Sequence, residues 1–210
     1  MMPARVIRAL GGTLLLAVTV MLGGCGKAPE VASESVLAEA RKQLAARGKE
    51  DQSIREGFGE GGEVDTAQGR RMNQVDSANT NWLKAYVARW QWPTVAQVGK
   101  ENVESAFLIV QHADGDTAFM RAMLPAVMQA ARNGDLDLQA VALLADRVEV
   151  QAGHKQRYGT QMTMRDGKVV LDPIDDSANV DTRRAEMGLK PVAEYIRMIE
   201  SAMKLPPPQP

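Results

Sequence analysis

The chain has 210 residues, 45% of them hydrophobic, with 25 Lys and Arg against 26 Asp and Glu. That near-neutral balance, with no basic tract longer than two residues, excludes a nucleic-acid-binding surface. Cys25 is the only cysteine, so no intramolecular disulfide is available and the core must be held by packing.

Arg5 and Arg8 give the chain a positive start, followed by an apolar run from Ala9 to Leu22 relieved only by Thr13 and Thr19. This is the layout of an export signal. The run is shorter than the roughly 20 residues that a permanent membrane-crossing helix needs. It is compatible with an ordinary secretory signal and a coincidental cysteine, or with a lipoprotein signal. Leu22-Gly23-Gly24-Cys25 resembles the lipobox of bacterial lipoproteins, in which a peptidase cuts before a cysteine that already carries a diacylglyceryl group. The resemblance implies a signal peptide over residues 1–24, lipidation of Cys25, and a membrane as the first partner. It also implies a cell-envelope location, and Gly26 in place of Asp points to the outer membrane, facing the periplasm. Loss of Arg5 and Arg8 leaves 23 basic against 26 acidic residues, a net charge of −3. Acylation also disposes of a free exported thiol.

Residues 25–33 read as a tether. Ser35 to Arg47 has Val36, Leu37, Ala40 and Leu44 on one helical face, with Gly48 as a C-terminal cap. A polar stretch with Asp51, Gln52 and Arg55 leads into the glycine-rich run Gly57 to Gly62. Asp65 caps a long predicted helix to about Trp90, striped by Met72, Val75, Trp82, Leu83, Tyr86 and Trp90, with Asp76 and Asn79 on or beside the stripe. Trp92-Pro93 ends it. Lys100 to Gln111 reads as a helix whose last turn, Phe107 to Val110, is apolar all round and therefore buried. Asp114 to Asp116 makes a turn and cap for a helix over Thr117 to Arg132, which contains Pro125. Asp137 opens another helix to about Gln151.

Tyr158 to Arg165 and Lys168 to Leu171 flank Asp166-Gly167, a two-residue turn signal for a β-hairpin. Asp181 caps a short helix closed by Gly188, and Pro191 opens the last one to about Lys204. The prediction is one α+β, mainly α domain over residues 34–205, with five to six helices packed on one hairpin at about 158–171. Residues 206–210 form a proline-rich tail. An isolated hairpin is marginal in water, so this one must dock on the helices.

Four strings concentrate polar chemistry: Gln111-His112-Ala113-Asp114, Asp146-Arg147-Val148, Gln156 with Tyr158-Gly159-Thr160-Gln161, and Val180-Asp181 with Arg183-Arg184. In this order, with Trp92-Pro93 and Gly99 before them and Gly188-Leu189 and Tyr195 after, they resemble a bacterial family known only as domain of unknown function 6624. The resemblance covers roughly residues 51–199 and implies a shared fold and a shared site, but no reaction.

His112 ends a helix, where the dipole favours its protonated ring, and Asp114 is placed to hold one ring nitrogen for general acid–base work. Capping of the helix carbonyls explains the same histidine without chemistry. Arg147 is either a fork for a carboxylate or phosphate, or a clasp to Asp181 or Asp76. Gln156, Tyr158 and Gln161, with Arg184, orient and hold an anionic ligand on one reading. On the other they tie the hairpin to the bundle. Strand alternation puts Tyr158 and Thr160 on one face, and Gly159 permits a close approach.

No metal site is expected: His112 and His154 are the only histidines, and Asp172, Asp175 and Asp176 lack the spacing of a calcium loop. No cofactor motif is present, and GxSxG, SxxK, HExxH and P-loop strings are absent. Two functions follow. The first is an envelope lipoprotein binding or acting on a small anionic ligand in a polar pocket. The second is a non-catalytic accessory that recognises an envelope protein.

Overall fold

In the computed structural model, residues 30–56, 66–165 and 168–202 are described. Cys25, the Asp65 cap, the Asp166-Gly167 turn and the proline-rich tail lie outside them. The described residues form eight α-helices and one two-stranded hairpin, the mainly helical α+β fold that the periodicity predicts. The helix number exceeds the expected five to six, partly through a single-turn helix that a four-residue pattern cannot signal.

Helix α1, Glu34–Ser53, is capped by the Ser33 hydroxyl, which accepts from the Val36 amide at 3.4 Å. It does not stop at Gly48. That glycine sits inside the helix because a Cβ there would lie 2.2 Å from Ser105 Oγ and 2.8 Å from Ser105 Cβ. The missing side chain lets α1 cross closely over α4, Lys100–Gln111, its most extensive neighbour.

Helix α2, Thr66–Trp90, runs antiparallel to α1: Ser35 lies near Trp90 at one end, and Arg55 bonds Asp76 at the other. Gln91 ends α2 with a φ of 65°. The short α3, Val95–Val98, carries Thr94 as its N-cap and leads through Gly99 into α4. Helix α4 is the centre of the domain, touching α1, α2, α3, α5 and α6, which is why its last turn is apolar all round.

Helix α5, Thr117–Arg132, is capped by Asp116, whose carboxylate accepts from the Phe119 amide at 3.0 Å. Helix α6, Leu138–Gln151, follows Asp137, which stands at the N-cap position but makes no side-chain cap bond. Leu44, Leu83, Val103, Ile109, Met120, Val127 and Leu144 are wholly buried where these helices meet.

Strands β1, Met162–Arg165, and β2, Lys168–Leu171, pair antiparallel with Arg165 opposite Lys168. The first strand starts four residues later than the alternation predicts, because residues 157–160 bend around a buried carboxylate. Helix α7, Val180–Glu186, is closed at Gly188, where the Leu189 amide reaches Arg184 O at 2.8 Å. Asp181 does not cap α7. Its carboxylate accepts from Val192 N at 2.8 Å and so fastens α8, Val192–Ala202, which packs on β2.

Candidate functional site

The extra turn of α1 carries the residue that organises the site. Ala40, Leu44, Gly48 and Asp51 follow one another at helical steps on the buried face, and Asp51 is wholly buried. A carboxylate there must be paired. His112, at the C-terminus of α4, places Nδ1 at 2.8 and 3.1 Å from the two Asp51 oxygens. Arg55 Nη1 lies 2.8 Å from Asp51 Oδ1, and its Nη2 reaches Asp76 Oδ1 on α2 at 2.6 Å. Three elements thus converge on one charged cluster.

A carboxylate paired with a guanidinium is ionised and only accepts, so His112 Nδ1 carries the proton. The other ring nitrogen, Nε2, has no hydrogen-bond partner among the described residues. His112 lines an open cleft of about 480 Å³ between α2 and the turn after α4. The α2 wall supplies Asn73, Asp76, Ser77, Thr80 and Asn81, and the turn supplies Asp114 to Asp116. Thr80 Oγ1 is buried without a hydrogen-bond partner among the described residues. The cleft carboxylates are compensated: Asp76 by Arg55, Asp114 by Arg147 at 3.3 Å, and Asp116 by Lys84.

The partner of His112 is therefore Asp51, 61 positions away, where the sequence points to Asp114. Asp114 lines the cleft but accepts from Arg147 and from Gln151 Nε2, the latter at 2.7 Å. Arg147 reaches a carboxylate, Asp114, at 3.3 Å, while Asp76 bonds Arg55 and Asp181 accepts from Val192 N.

The hairpin residues form a second, sealed cluster. Asp146 is wholly buried on α6 and accepts from the amides of Arg157, Tyr158 and Thr160 and from the Thr160 hydroxyl, at 2.7 to 3.1 Å. Gln156, also wholly buried, donates to Gln161 O and Asp172 O and accepts from Gln161 N, each at 2.8 Å. The Gln161 side chain turns to Leu143 O and Thr160 Oγ1. Arg184 is wholly buried and donates to Tyr158 O at 2.6 Å, Gly159 O at 3.1 Å and Lys190 O at 2.5 Å, with Tyr195 stacked on its guanidinium. Gly159 has a φ of +66°, and a Cβ there would stand 2.9 Å from Ile174 Cδ1. Its close approach serves packing. Gln156, Tyr158, Gln161 and Arg184 hold the hairpin to α6 and α7, and none of them lines the His112 cleft.

Asp51, Asp76 and His112 bring one ligand atom each within 4.8 Å of one another, a spacing that suits a cation. Arg55 already bridges both carboxylates, so a metal ion would have to displace it. Asp172, Asp175 and Asp176 do not form a cluster of that kind among the described residues. Asp172 accepts from Thr163, and Asp176 accepts from Asn179 and Arg183.

Burial pushes the Asp76 carboxyl above its usual range, against the opposing pull of Arg55. Because the folded value lies above the unfolded value, about 3.9, the folded state binds the extra proton in that window. Stability therefore falls as pH rises from the unfolded value through the folded one. Comparison of urea unfolding from pH 3 to 7 should show this component in the parent chain and its absence in Asp76→Asn.

Residues 38–206 match a family described as a family of unknown function, DUF6624. The chain belongs to this family. The matched span starts inside α1 and takes in both clusters, the other helices and the hairpin. No curated protein and no solved structure matches the chain. In this DUF6624 domain, sequence reasoning missed Asp51, Arg55 and Asp76 as site residues. The signal was the helical phase: continuing α1 past Gly48 puts Asp51 on the buried face, and Asp76 already fell by the α2 stripe.

Proposed function

We propose that this chain is a cell-envelope lipoprotein, anchored through Cys25, whose domain binds a small polar molecule beside His112 and transfers a proton with that ring. One observation carries the reading: the wholly buried Asp51 lies 2.8 Å from His112 Nδ1, and the same ring lines an open cleft. A held imidazole of this kind accepts a proton from a bound water or hydroxyl, and the imidazolium formed is stabilised by the Asp51 carboxylate. Asn73, Ser77 and Asn81, one helical turn apart on α2, supply hydrogen bonds along the wall.

An uncharged ligand fits better than an anionic one. Arg184 is buried under the hairpin loop, and Arg55, Lys84 and Arg147 are each held by a cleft carboxylate.

The test begins with mass analysis of the Cys25 peptide and fractionation of Cys25→Ser, which should leave the membrane fraction. Ligand-observed NMR against a small-molecule extract should then find binders that Asn81→Leu loses. His112→Ala should lower turnover of any substrate among them by about 10²- to 10⁴-fold. An unchanged ligand profile in both variants would leave the non-catalytic accessory role in its place.

A further inference from the structure

Where the chain from Cys25 arrives decides which side of the domain lies against a membrane. Glu30 donates its amide to Arg89 O at 3.1 Å, and Arg89 Nη2 reaches the Glu30 carboxylate at 3.1 Å. Residue 30 is thereby fastened to the last turn of α2. Five residue steps separate it from Cys25, a span of at most about 18 Å. An acyl group on Cys25 must enter a bilayer within that reach of the α2 C-terminus.

The same end of α2 carries apolar surface that the fold leaves open. A groove of about 400 Å³ runs between α2 and α5, walled by Val87, Ala88, Trp92, Phe119, Met123 and Ala126. A second groove of about 290 Å³ lies on the opposite flank, between α1 and α2, and is lined in part by Tyr86 and Trp90. All three tryptophans of the chain, Trp82, Trp90 and Trp92, line one or the other. Cations stand over the aromatic rings: Arg89 is 4.4 Å from the Trp90 centroid and Lys84 is 5.7 Å from that of Phe119. Indole rings settle at a lipid–water boundary with their apolar bodies among the upper acyl chains, and here Arg89 and Lys84, paired with Glu30 and Asp116, keep charge at the rim of the grooves.

We propose that the C-terminal end of α2 is a membrane-docking surface, and that phospholipid acyl chains occupy the α2–α5 groove. The proposal rests on the Cys25 anchor proposed above, which brings lipid to this end. A lipid anchor holds by its buried methylenes, and a second contact adds apolar area and fixes orientation.

The tryptophans provide the probe. The full chain, taken from its membrane fraction, is placed in vesicles of neutral and anionic phospholipids brominated on their acyl chains, and the Cys25 peptide is weighed in parallel. Tryptophan emission should be largely lost, while a fluorophore on Ser77→Cys, in the His112 cleft, keeps its emission. Met123→Glu should restore much of the tryptophan signal. With Cys25 acylated, unchanged tryptophan emission overturns the proposal and leaves the groove to a protein partner; equal quenching of both probes overturns the orientation. Quenching without an acyl group supports docking while the anchor reading falls. Neither acylation nor quenching overturns both.

Discussion

Asp146→Ala is expected to cost about 3 kcal/mol or more, because each buried donor left without an acceptor costs about 1–3 kcal/mol. Among the described residues, Asp146 alone accepts from the Tyr158 and Thr160 amides, and it is wholly buried. Alanine leaves those donors, the Arg157 amide and the Thr160 hydroxyl without the carboxylate, in a place where most are closed to water. The loop over residues 157–160 should loosen, and the hairpin with it. Urea unfolding measures the loss, and amide exchange locates it at residues 157–171. The ring signals of His112 should not move, because the two clusters share no residue. Asp146→Asn should cost less, since its oxygen still accepts. If the hairpin amides kept their protection in Asp146→Ala, the account of the loop would be wrong.

Gly48→Val is expected to lose about 3 kcal/mol through overpacking. Its Cβ would meet Ser105 Cβ at 2.8 Å, and the Ser105 hydroxyl is bonded to Glu101 O at 2.9 Å. Gly48→Ala separates two explanations by sign. An exposed helical glycine gains about 1 kcal/mol on replacement by alanine, whereas this one should lose stability at the crossing with α4. Ser105→Gly combined with Gly48→Ala should recover much of the loss. Denaturant midpoints of the three variants check the set.

Both residues mark where local pattern stops being informative. The helices of the bundle were legible because their apolar stripes recur over many turns, and α4, α5 and α6 stand where those stripes place them. Gly48 looked like a helix end because glycine ends helices more often than it sits inside them. Its actual reason is a serine 57 positions away, which no window on α1 contains. Truncating α1 there also hid Asp51, and with it the true partner of His112. The hairpin register was readable from Asp166-Gly167, since a two-residue turn fixes the pairing of Arg165 with Lys168. Tyr158 to Gln161 was not a strand, because the demand of a buried carboxylate for amide donors outweighed alternation. His112 was visible as a reactive residue at a helix end. That it and Arg184 belong to different clusters could not be seen, since each is positioned by contacts far apart in the chain.

The antiparallel pairing of α1 and α2 acts as a spacer. Asp76 and Trp90 lie on α2 fourteen residues apart, about 21 Å at the rise of an α-helix. If the docking proposed above holds, Asp76 and the His112 ring beside it stand farther from the lipid than Trp90 does, although the cleft's Asp116, bonded to Lys84, reaches toward the groove. On that arrangement, a ligand of the cleft would come from the water side of the domain, not from within the bilayer. The length of the helix pair would then set how far that end of the cleft stands from the lipid.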